Sequence, residues 1–179
     1  DKTVDAERQV IHKFSYEQWT TNDDKNFLPT DRTIKKLPAG CYEIYNNQET
    51  VYLRKIPVRT EGLLRFPQTN SEKVIKELQK FWDKENLFRR FGFTYKRGII
   101  LWGPAGSGKS STIQIIMSDV IERGGIVVKF CHPHLFIEGM RTIRQIQPKT
   151  PVVVLMEDID SIIENYHQSD VLNVLDGVD

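Results

Sequence analysis

The sequence predicts an α/β protein built on a parallel sheet with helices on both faces. Three observations predict it. Short apolar runs at 99–102, 126–130 and 152–156 alternate with amphipathic segments, the pattern of a sheet buried on both sides. A glycine-rich stretch separates the first run from its helical segment, and the third run ends on acids.

Residues 1–31 are polar and charged, with Val10, Ile11, Phe14 and Trp19 spaced for a helix ahead of a loop over 20–29. Cys41–Tyr45 and Val51–Ile56 alternate apolar and polar residues, and Asn46-Asn47-Gln48 between them is turn chemistry. A β-hairpin follows from that pattern. Gly62–Phe66 adds a short strand closed by Pro67. Residues 1–68 are therefore expected to form an N-terminal extension or a small β-containing subdomain.

From Thr69 the period changes. Thr69-x-x-Glu72 fits a capping box, and Val74, Ile75, Leu78, Phe81 and Trp82 recur at helical spacing up to about Asn86, before an aromatic connector, Phe88–Tyr95. Ile99–Trp102 reads as a buried strand. Lys109–Arg123 reads as a helix with Ile113, Ile116, Met117 and Val120 on one face, stopped by Gly124-Gly125. Ile126–Phe130 is the second strand, Leu135–Ile146 a helix, Val152–Met156 the third strand and Asp170–Leu175 a closing helix.

Composition narrows the function classes. With 39% hydrophobic and 27% charged residues the chain is ordinary for a globular protein. Lys and Arg number 25 against 24 Asp and Glu, a net charge of +1, which leaves no electrostatic footprint for nucleic acid or an anionic membrane. The longest apolar run without glycine, Val152–Met156, falls far short of the ~20 residues a membrane span needs. Two cysteines, Cys41 and Cys131, exclude a multi-bridge framework and favour a reducing compartment.

The chemistry lies in two places. Gly103-Pro104-Ala105-Gly106-Ser107-Gly108-Lys109-Ser110-Ser111 contains G-x-x-x-x-G-K-[ST]. Glycines let the backbone close around phosphate so that successive N–H groups converge on its oxygens, and the helix N-terminus adds positive charge. Lys109 then serves the β- and γ-phosphates of ATP and the Ser110 hydroxyl serves Mg2+. Chance yields such a match at roughly 4 in 100,000 positions, too rarely to explain this one. The second place is Glu157-Asp158-Ile159-Asp160, directly after a buried strand, where nucleotide enzymes keep one acid for Mg2+ and one to polarise water.

Together, Arg97–Ser111, Glu157–Asp160 and Leu172-Asn173-Val174-Leu175-Asp176-Gly177 resemble the AAA family of ATPases over about residues 69–179. The resemblance implies a P-loop NTPase three-layer sandwich, preceded by the hairpin-containing region. It also implies Mg2+-dependent hydrolysis of ATP, a hexameric or other ring homo-oligomer, and a protein or nucleoprotein substrate to be remodelled. Ala105 replaces the family's second Pro, and the acidic pair is inverted, Glu-Asp for the usual Asp-Glu. By position Glu157 takes the metal role and Asp158 the catalytic one. The inversion is similar to the branch that includes the mitochondrial complex III assembly ATPase, an active enzyme. That relative carries a membrane anchor and this sequence shows none, so a bacterial or phage-infected cytoplasm is expected instead. The alternative readings are an ATP-binding switch with little hydrolysis, and another P-loop enzyme such as a nucleic-acid motor.

Lesser features have plainer readings. Cys131-His132-Pro133-His134 matches no common zinc spacing. Phe136-Ile137 before Gly139 stands where the family carries a pore loop, and helix packing is the stronger reading. Phe91-Gly92-Phe93 frames adenine or packs in a core. Arg141 and Arg144 face water or a neighbour. The resemblance further implies a fourth strand between the first and third, a γ-phosphate-sensing Asn, an arginine finger and a helical lid, all beyond Asp179. The 179 residues are accordingly expected to bind nucleotide weakly, turn it over negligibly and aggregate.

Overall fold

The computed structural model describes residues 18–20, 25, 28–30, 32–46, 50–58 and 70–176. Two compact units divide between Leu37 and Pro38. In the first, β1 (Gln18–Thr20) pairs antiparallel with β2 (Leu28–Thr30). Trp19, expected on a helix, is on a strand; Val10, Ile11 and Phe14 lie outside the described residues.

The second unit runs β3 (Gly40–Asn46), β4 (Val51–Ile56), α1 (Asn70–Trp82), α2 (Glu85–Arg90), α3 (Lys109–Glu122), β5 (Ile126–Lys129), α4 (Pro133–Ile146), β6 (Val152–Leu155), α5 (Ile159–Asn165) and α6 (Gln168–Asp176). Its four strands are ordered β4-β3-β5-β6. The expected hairpin is present, with Cys41 opposite Ile56 and Asn46 opposite Val51. β3, β5 and β6 are parallel, pairing Cys41 with Val127 and Val127 with Val153. The hairpin is thus an edge of the main sheet, within the compact unit that runs from Pro38. Gly62–Phe66 and Thr69 lie outside the described residues.

The register decides which side chains meet which helix. Cys41, Val127, Val153 and Leu155 share one face, and Met117 and Val120 of α3 pack on it. The other face is covered by α4, whose Gly139 lies so near β3 that a Cβ there would stand 2.6 Å from Ile44 Cδ1. Phe136, Met140 and Ile143 of α4 are buried. Helix, sheet and helix form three layers. Near α1, Tyr95 stacks on Phe81 at 4.3 Å. Its hydroxyl donates to the carbonyls of Phe81 (3.0 Å) and Trp82 (3.2 Å), two of the orphan acceptors that end a helix.

One expected element is missing. Residues 99–102 form no strand, and Ile100 and Trp102 are 79% and 89% exposed. An apolar run becomes a strand only when a neighbour pairs its N–H and C=O groups. The resemblance puts a further strand between this run and β6, and no such strand stands among the described residues. β6 accordingly ends the sheet with one edge unpaired.

Phe136 is 2% exposed and sits against Phe130 at 5.4 Å between centroids, which makes it a core residue and not part of a gripping loop. Phe136→Ala should therefore cost about 3–5 kcal/mol in urea unfolding of the full-length protein. A loss under about 1 kcal/mol would place Phe136 outside the core.

Candidate functional site

The glycine-rich loop enters α3 through backbone shapes that side chains resist. Gly106 and Gly108 have φ of 77° and 84°, in the left-handed region open to glycine at no steric cost. Gly108 is the residue before the helix, and the N–H of Thr112 donates to its carbonyl at 2.9 Å. Pro104, Ala105, Gly106, Ser107, Ser110 and Ser111 are all exposed. The Lys109 ammonium folds back over the loop, donating to the carbonyl oxygens of Gly103 (2.6 Å) and Pro104 (2.9 Å) and to Ser107 Oγ (3.4 Å). Its partners are thus oxygens that a phosphate can replace.

The acids follow β6. Glu157 Oε2 pairs with Lys129 Nζ at 3.6 Å, with 59% and 34% of the side chains exposed. Asp158 precedes α5 with φ of 50°, the one non-glycine residue of positive φ among those described. Asp tolerates this conformation better than most residues. The carboxylates of Glu157 and Asp158 and the Ser110 hydroxyl are hard oxygen donors, the type Mg2+ prefers. Among the described residues no three His, Cys, Asp or Glu side chains cluster tightly enough to hold a metal alone. A cation here would need phosphate oxygens as well, the usual arrangement for Mg2+ in nucleotide sites.

Topology sets loop and acids at the same end of the sheet. The N–H of Gly125 donates to the carbonyl of Val120, and that of Ile126 to the carbonyl of Pro151, both at 2.9 Å. These bonds fix the C-terminus of α3 at the start of β5 and β6, so its N-terminus points toward their far ends. Glu157 and Lys129 continue the face on which α3 packs. No hydrogen bond or ion pair joins the loop to Glu157 or Asp158 among the described residues. The structure brings the loop residues together, and Glu157 to Lys129, but does not close the two groups on each other.

Lys129, which the sequence did not single out, stands beside the acids as the ion-pair partner of Glu157. Its only signal was a cation ending a buried apolar strand. A cavity of about 300 Å³ opens beside it, lined by Lys129, Phe130, His132, Leu155, Glu157 and Tyr166 among others. His132 meets the Tyr166 ring edge-on at 5.3 Å. Phe91 and Phe93 are 63% and 68% exposed, so they do not pack in a core. Arg141 is exposed. Arg144 instead donates to the carbonyl of Thr150 at 2.9 Å, tying α4 to the turn before β6, and burial lowers its pKa.

Residues 99–178 match the family model of the ATPase family associated with various cellular activities, AAA. The chain is 31% identical over 98 residues to a probable mitochondrial chaperone BCS1-B of Dictyostelium discoideum, covering 52% of this chain and 20% of that protein. It is 27% identical over 124 residues to the mitochondrial chaperone BCS1 of Homo sapiens, covering 60% and 29%. A probable mitochondrial chaperone BCS1-A of Dictyostelium discoideum is 27% identical over 199 aligned positions, covering 98% of this chain and 44% of that protein. The last match takes in the N-terminal third, which by sequence alone resembled nothing. The chain spans less than half the length of each of these curated relatives. These relatives are named as mitochondrial chaperones, which overturns the expectation of a bacterial or phage-infected cytoplasm.

An ammonium about 4 Å from an anion in an effective dielectric of ~20 contributes about 4 kcal/mol. Lys109→Ala should therefore weaken binding of a fluorescent ATP analogue by about ten-fold or more. Its bonds lie wholly within the loop, so urea stability should change by less than about 0.5 kcal/mol. Unchanged affinity would remove Lys109 from the site.

Proposed function

From a chain whose residues 99–178 belong to the AAA family of ATPases and which is related to the BCS1 mitochondrial chaperones, we propose a Mg2+-dependent ATP-hydrolysing mechanoenzyme. It would act as a ring of identical copies and remodel a protein or nucleoprotein substrate. The observation that carries this reading is the loop 103–108 opening into α3, with Lys109 bonded only to loop oxygens. The sheet end that α3 faces carries Glu157.

In this reading the triphosphate takes the place of the Gly103 and Pro104 carbonyls and Ser107 Oγ around Lys109. The N–H groups of the loop and of the first turn of α3 converge on phosphate oxygens, and the helix dipole adds to the attraction. Ser110 and Glu157 would hold Mg2+, which when bound neutralises charge on the β- and γ-phosphates. Asp158 would accept a hydrogen bond from the attacking water and orient it toward the γ-phosphorus. Transfer to water then rests on positioning and charge stabilisation, with no covalent enzyme intermediate. The pairing of Glu157 with Lys129 favours a second reading, an ATP-binding switch that turns over little.

A phosphate-release assay on the full-length protein separates the two. Asp158→Asn keeps a residue that tolerates the left-handed backbone. It should leave ATP binding intact and lower turnover by about 100-fold or more. Glu157→Gln should weaken binding chiefly in the presence of Mg2+. Intact ATP binding with no Mg2+-dependent phosphate release from the unaltered protein would establish the switch, and equal loss of binding in both variants would reject the two roles.

A further inference from the structure

We propose that Lys129 is a built-in counter-cation for Glu157, competing with the divalent metal for the same carboxylate; this rests on Glu157 being the metal-side acid proposed above. The pair is set by strand register. Lys129 stands opposite Leu155 across the parallel β5–β6 ladder, and Glu157 lies two residues past Leu155, the last residue of β6. The Nζ–Oε2 separation is 3.6 Å. Ile126, Val127 and Val128 before Lys129 are fully buried, so the stem of the lysine starts from a fixed point and its ammonium reaches a limited area.

A second acid occupies the same face. Glu43 follows Tyr42, the last β3 residue paired with β5, and accepts a hydrogen bond from the Tyr45 hydroxyl at 2.7 Å. The buried Cys41 thiol lies on this face as well. Its pKa is raised chiefly by burial, while Lys129 lowers it and Glu43 and Glu157 raise it. Among the described residues Lys129 pairs with Glu157 and not with Glu43. The cavity of about 300 Å³ on which Lys129 and Glu157 both open lets the exchange proceed without repacking the core.

Two cations cannot share one carboxylate without repelling each other. Metal binding must therefore break a partly exposed ion pair, whose strength is typically that of a small fold-factor. In the full-length protein, Mg2+ would be titrated against a fluorescent ATP analogue with nucleotide binding as the readout, so that turnover is not needed. Lys129→Met should lower the half-saturating Mg2+ concentration by about two- to five-fold. Lys129→Arg, which keeps the charge, should behave as the unaltered protein. Lys129→Met placed on Glu157→Gln should produce no further shift, because the shared carboxylate is gone.

An unchanged or higher Mg2+ requirement in Lys129→Met, or the same shift in the Glu157→Gln background, overturns the proposal. Phosphate release from the unaltered protein, run in parallel, separates this from the proposed function. Turnover without the Lys129→Met shift removes the counter-cation alone. The shift without turnover removes hydrolysis alone, and binding that is indifferent to Mg2+ removes both.

Discussion

The parallel register of β3, β5 and β6 is the constraint on which the rest of the second unit depends. It makes Cys41, Val127 and Val153 one apolar strip, and Met117 and Val120 of α3 bury themselves on it. Direction then follows from connection length. Only Arg123, Gly124 and Gly125 lie between α3 and β5, too few to carry the chain the length of the helix, so α3 runs against the strands. A Cβ at Gly125 would stand 2.9 Å from the Pro151 carbonyl oxygen and 3.0 Å from that of Val120, which is why this junction closes on glycine. Apolar packing at one end of α3 thereby aims the phosphate loop at the other.

The polar site is consequently a product of the core without being part of it. Pro104 to Ser107, Ser110, Glu157 and Asp158 are exposed, and the site contributes little to holding the fold. Buried apolar groups specify where the loop and the acids stand, and the charges remain free to exchange partners. The same separation explains how Asp158 keeps a left-handed backbone. Strain of that kind persists when surrounding structure fixes it, and here β6 and α5 hold either side of the residue.

Legibility in the sequence followed the range of the interactions involved. The elements α3, β5, α4 and β6 were readable to within two residues, because apolar period, the Gly124-Gly125 stop and the acids after Leu155 are local signals. The hairpin was readable too, but its destination was not. Whether Cys41 and Tyr42 pair with Val127 and Val128 is decided across some eighty residues, and no local pattern distinguishes a free hairpin edge from a paired one. Ile99–Trp102 failed in the opposite sense. Its composition reads as a buried strand, yet burial needs a neighbouring strand, and none among the described residues supplies the ladder. At the candidate site, the glycines of the 103–108 stretch are a local signal, and Gly106 and Gly108 take the positive φ that glycine allows. Lys129 acquires meaning only through its register with Leu155, which no sequence window contains.

Both cations at this end of the sheet are engaged with the protein's own oxygens. Lys109 is held by loop carbonyls and a hydroxyl, and Lys129 by Glu157. Neither stands as a bare charge, so a ligand would gain only the difference between its contacts and those it replaces. That difference is larger for a triphosphate at Lys109, which exchanges neutral acceptors for anionic ones. It would be smaller for a metal at Glu157, which would have to displace a charge of its own sign. Under the proposed roles nucleotide and metal would be coupled by the fold: phosphate oxygens brought in at the loop would supply the additional ligands that let a divalent cation outcompete an ammonium for Glu157.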